Sequence, residues 1–115
     1  MNECFRLVRE IMALLRPRIK EMHIGVCKIK LYIPESQSLK EKRRVLKSLI
    51  ARIKNKFNVA VAEVEALDVH QSAVLGVVSV ANAAKFVNQI LSQCVKFVEG
   101  DASVVVLDYE TEFFF

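Results

Sequence analysis

The stretch SLKEKRRVLKSLIARIKNKF, residues 38–57, decides the fold. It is the longest periodic segment of the chain and carries its densest charge. Ser38 followed three residues later by Glu41 is a capping box, in which hydroxyl and carboxylate each accept a hydrogen bond from a backbone N–H that the first helical turn leaves without a partner. A helix starts there. At about 100° per residue, Leu39, Leu46, Leu49, Ile50, Ile53 and Phe57 fall on one apolar arc, the side that faces a core. Lys40, Arg43, Arg44, Lys47 and Lys54 fall in a neighbouring arc of roughly 100°, with Ala51 where another charge would continue the row. Like charges at these spacings repel by a few tenths of a kcal/mol per pair, so helix stability does not ask for the arrangement. Two readings stand: a solvated face whose long side chains cover the edge of the core, or a surface for an anionic partner.

Upstream of this helix, residues 23 to 33 alternate as a strand, with Cys27, Ile29, Leu31 and Ile33 on one face and Lys28, Lys30 and Tyr32 on the other. Residues 34 to 37 make a short polar turn into the helix. Downstream, Asn58 closes the helix as a residue tolerant of the left-handed conformation. Val59 to Glu65 and Ala73 to Ala81 read as a hairpin of two strands, joined by a loop containing Asp68 and His70. Asn82 is placed to cap a second helix over residues 83 to 98, with a wide apolar face through Phe86, Val87, Ile90, Leu91, Cys94 and Val98, and Gly100 ends it. A last strand covers residues 103 to 113. Met1 to Leu15 is an amphipathic helix ended or kinked at Pro17. With Met22 available as a start, residues 1–21 read as an extension and 22–115 as the domain.

The order is thus a helix followed by βαββαβ. Right-handed crossovers fold such a chain into a four-stranded antiparallel sheet of order 4-1-3-2 with both helices on one face, the ferredoxin-like α+β sandwich. First and last strands lie side by side, so Lys28 and Lys30 can meet Asp108, Glu110 and Glu112 on the open face. On that face the same phase places Ile24, Val26, Val59, Val61, Val104 and Val106, an apolar surface suited to self-association.

Charge divides the chain. Residues 1–56 hold 15 Lys/Arg and 5 Asp/Glu, while residues 57–115 hold 2 and 8. Such a split serves an anionic partner, or pairing of basic and acidic surfaces within or between subunits. Cys4, Cys27 and Cys94 are odd in number and widely spaced, which suggests neither a disulfide framework nor a zinc site; core thiols in a reducing cytoplasm fit them. Charges interrupt every apolar run of the first 21 residues, so no secretory signal is read, and no run is long enough to span a bilayer.

Catalytic chemistry is not evident. Glu63 and Glu65 share a strand face, as do Asp108, Glu110 and Glu112, but the predicted order puts these strands at opposite edges of the sheet, so no metal site is expected. No cysteine has an evident base beside it. The third strand carries no aromatics for stacking bases, and neither a CxxC nor a GxxG loop is present. No cofactor and no enzymatic activity are expected.

The segments MHIGVCKIKLYIPESQSLKEKRRVLKSL and FNVAVAEVE, with LGVVSVAN and VVVLDYE further on, resemble the YlxP-like family of bacterial proteins, known as domain of unknown function 503, over about Met22 to Glu112. The resemblance implies a ferredoxin-like domain of the bacterial cytoplasm with a link to RNA or the ribosome, and brings no catalytic residues. Two functions are therefore expected. The first is a non-enzymatic module that contacts phosphates of structured RNA or the ribosome through Lys40, Arg43, Arg44, Lys47 and Lys54. The alternative is a protein-interaction module forming a homo-oligomer through Val59, Val61, Val104 and Val106 on the open sheet face. Neither involves a membrane.

Overall fold

The computed structural model describes residues 3–15 and 21–114; the expected break at Pro17 and the last residue, Phe115, lie outside them. The elements run α1 (Glu3–Leu15), β1 (His23–Tyr32), α2 (Leu39–Lys56), β2 (Ala60–Glu65), β3 (Ser72–Ala81), α3 (Ala84–Glu99) and β4 (Val105–Phe114). The strands form one antiparallel sheet in the order β2-β3-β1-β4, the expected order read from its other edge. With α2 over edge strand β2 and α3 over β1, β3 and β4, the α+β ferredoxin-like architecture is complete. The two helices meet through Phe57 and Phe97, which pack edge to face at 5.8 Å between centroids.

The capping box forms as the sequence dictates, with one refinement. Ser38 Oγ accepts from the Glu41 N–H at 3.1 Å, while the Glu41 carboxylate accepts at 2.7 Å from the N–H of Gln37, one residue ahead of the cap. The other helix ends differ from expectation. α2 ends on Phe57 in extended backbone, not on a left-handed Asn58, and the non-glycine residues with positive φ among those described are Glu21 and Ala66. α3 starts from Ala83 instead of Asn82, and no side chain caps it.

Between helices and sheet lies a core of Cys27, Ile29, Leu31 and Ile33 with Leu46, Leu49 and Ile53 from α2, Leu75 and Val77 from β3, and Val87, Leu91 and Val98 from α3. Gly25 shows how closely α3 sits: a Cβ there would come within 2.5 Å of Val87 and 2.8 Å of Leu91. Cys27 and Cys94 are core thiols, but Cys4 is exposed on α1, contrary to expectation. Burial pushes the Cys27 thiol up, and burial together with neighbouring Cys27 pushes Cys94 up to about 11, so neither supplies a thiolate near neutral pH.

The expected open-face valines face the core. Val61 pairs with the buried Val77 and Val106 with the buried Leu31, and opposed residues in a ladder point to the same side. Val59, Val61 and Val106 accordingly pack against the core, and Val104, just ahead of β4, is 5% exposed. Ile24 and Val26 do lie on the open face, opposite Val80 and Val78, which are 48% and 41% exposed and complete an apolar patch there.

A bulge between Glu63 and Glu65 breaks the alternation of β2 and turns the two carboxylates to opposite faces, overturning the expectation that they share one. Glu65 reaches Lys28 on the open face, where Glu110 stands opposite the same lysine. Acids from β2 and β4 thus do approach one another, with Lys28 between them. α1 attaches at the far end of β4, through Phe5 against Phe114 at 6.2 Å and Arg9 on Glu112 at 3.3 Å. Its Leu7, Val8, Ile11 and Leu14 remain exposed.

Candidate nucleic-acid interface

α2 carries eight Lys and Arg side chains, and the fold sorts them into two sets. Three have partners inside the protein. Lys42 is fully buried, its ammonium donating to the carbonyls of Ala66, Val69 and Ser72 at 2.6, 2.7 and 2.9 Å, with Glu63 Oε2 at 2.8 Å. The three N–H groups are directed at the three carbonyls, so the Glu63 contact is an ion pair, and Oε2 itself has no hydrogen bond. Arg52 meets Asp101 at 2.6 Å, tying α2 to the turn after α3. Burial works to raise the Asp101 carboxyl, but hydrogen bonds from Ser103 and the Arg52 charge outweigh it and hold the group below the usual carboxylate range. Lys56 lies over the rings of Phe57 and Phe97, 5.8 and 4.9 Å from their centroids.

The other five are Lys40, Arg43, Arg44, Lys47 and Lys54. All are exposed, and none has an ion pair, hydrogen-bonded acceptor or ring contact to its side chain among the described residues. They follow the outer side of α2 over about 21 Å at 1.5 Å per residue. The helix is rigidly held beneath them, since Leu46, Leu49 and Ile53 are each at most 3% exposed. The acids that balance the chain lie mainly elsewhere: Asp108, Glu110 and Glu112 are on the opposite face of the sheet, opposite Lys30, Lys28 and Val26. Segregation of charge in sequence has become segregation between the helix layer and the open face.

Beside the stripe runs a groove of about 440 Å³ lined by Arg43, Leu46, Lys47, Ile50, Ala51, Lys54 and Glu63. Ala51, the gap in the row of cations, lines it together with Leu46 and Ile50. On the open face a smaller depression of about 120 Å³ is lined by Lys28, Lys30, Glu65, Val74, Asp108, Tyr109 and Glu110, where the three acids outnumber the two lysines. His23 and His70 are not brought together by the fold: one begins β1 and the other lies in the loop before β3.

Lys42 is the residue that reading the stripe overlooks. Its signal was in the spacing, because 42, 46, 49 and 53 form one line of the helix and put a lysine on the apolar arc. A charge there must find acceptors when buried, and the loop 66–72 provides them. Ala66 lies in the left-handed region at φ 62°, and its carbonyl accepts from the Val69 N–H at 3.1 Å as well as from Lys42.

Over residues 24–111 the chain matches the family described as "Protein of unknown function (DUF503)". It is 31% identical over 91 residues to the uncharacterized protein YlxP of Bacillus subtilis strain 168, a similarity that covers 79% of this chain and 99% of that protein. The family match takes in the sheet through Thr111, both packed helices and the whole cationic stripe while leaving α1 outside, and the chain belongs to the DUF503 family.

Proposed function

We propose that this protein is a non-enzymatic, cytoplasmic RNA-binding or ribosome-associated module that contacts phosphates through Lys40, Arg43, Arg44, Lys47 and Lys54. One observation carries the reading: every cation of α2 outside the stripe is engaged within the fold, and those in the stripe have no partner among the described residues. A row of unpartnered cations on a rigid helix gives a phosphate chain positioning contacts without base readout, so binding is weakly sequence-selective. Reversing Arg43→Glu and Lys47→Glu together is expected to abolish binding to structured RNA in a filter or anisotropy assay. Far-UV circular dichroism and the thermal midpoint should barely change, because both side chains are exposed. Undiminished affinity in the double variant removes the stripe from the function.

A second reading, self-association, is favoured by a different surface from the one expected. Val78 and Val80 with Ile24 and Val26 form an apolar patch on the open face, near the exposed Leu7, Val8, Ile11 and Leu14 of α1. A second copy could cover both surfaces at once around a two-fold axis. Sedimentation velocity of the wild-type chain is expected to give a dimer that Val80→Asp converts to monomer. A monomeric wild type at tens of micromolar ends this reading.

A further inference from the structure

Resting on the phosphate-binding reading, we propose that the gap in the stripe at Ala51 is a seat for one unstacked nucleotide, so that α2 takes single-stranded or bulged RNA in preference to a continuous duplex. Lys47 and Lys54 stand two helical turns apart on either side of Ala51, and Leu46, Ile50 and Ala51 supply the apolar part of the lining of the shallow groove beside them. A phosphate gains nothing on such a surface. In a duplex the base faces are stacked inside and the outer ridge offers only phosphate and ribose. An unpaired nucleotide can turn a base face onto this apolar lining while its two flanking phosphates reach the cations at either end.

Glu63 points to the same ligand independently. It lines the same groove, its side chain 18% exposed and its Oε2 held against the Lys42 ammonium. With Oε2 buried against Lys42, the part of the carboxylate left accessible can accept from the exocyclic amino group of a base, which a phosphate cannot offer. The ligand chemistry is therefore cationic contacts outside, an apolar strip, and an acceptor at the inner wall. An extended acidic peptide with apolar side chains offers the first two features and backbone N–H donors for the third, so it enters the test as a competitor.

The test uses the full chain with fluorescein-labelled RNA, single-stranded and duplex of equal length, read by anisotropy. Ala51→Gln fills the groove with an uncharged side chain of good helix propensity at an exposed position. The single strand is expected to bind more tightly than the duplex. The substitution should weaken single-strand binding about five- to tenfold, as loss of a small buried apolar contact would, leaving the salt dependence and duplex binding unchanged. If Ala51→Gln is silent while Arg43→Glu with Lys47→Glu still abolishes binding, the stripe is a flat phosphate track and the seat is overturned alone. Absence of RNA binding by the wild type overturns both. Displacement of the RNA by an acidic, apolar peptide that binds wild type but not Ala51→Gln assigns the groove to a protein partner and overturns the seat.

Discussion

Replacing Lys42 with methionine is expected to cost about 3–5 kcal/mol of stability, the usual penalty for removing one partner of a buried, hydrogen-bonded ion pair. In a chain of this size that lowers the thermal midpoint by about 10–20 °C. Methionine matches lysine in length and apolar volume, so the core along Leu46 and Leu49 should close around it. What it cannot do is donate. The carbonyls of Ala66, Val69 and Ser72 lose a common donor, and Glu63 keeps a buried charge without a counterion. The loop can recover part of the loss by opening to water, so hydrogen exchange should quicken first at residues 66–72. Lys40→Met, on the exposed stripe, should move stability by no more than about 0.5 kcal/mol. Equal midpoints for the two variants would show that the Lys42 ammonium is replaceable by solvent.

The effect of Lys42 also explains what could and could not be read from the chain. Element order and the two packed helices were legible because the Ser38–Glu41 capping box and long 3.6-residue periodicities are local signals, and sheet order followed from that element order through the right-handed crossover rule. The cationic stripe was legible for the same reason. Strand phase was not. β2 alternates valine with alanine before it reaches Glu63, and the segment entering β4 runs Val104, Val105, Val106, Leu107, so both faces of each are apolar enough to be core. Only the pairing of Val61 with Val77 and of Val106 with Leu31 fixes which side is buried. The bulge in β2 displaces Glu65 by one position, which is how Glu63 faces Lys42 while Glu65 faces Lys28, and the bulge in β4 turns Asp108, Glu110 and Glu112 to the face away from Val106. These are long-range facts, and a single-strand pattern does not contain them.

The same separation of engaged from unengaged cations sets the size of the last expected effect, the dependence of RNA binding on salt. Contacts to single-stranded phosphates release about 0.7 counterion each, so five contacts give a slope of log K on log salt near −3.5, and a fourfold rise in salt lowers affinity by about 100-fold. Counting all eight cations of α2 would instead give a slope near −5.6, but Lys42 is buried against its carbonyls, Arg52 is ion-paired with Asp101 and Lys56 lies over two rings. The measurement therefore counts which side chains touch the ligand. Neutralising one member of the stripe, Lys47→Gln, should make the slope shallower by about 0.7, whereas Lys56→Gln should leave it unchanged. A wild-type slope near zero would mean that any affinity for RNA does not come from phosphates, and the exposed row on α2 would lose its role in the function proposed above.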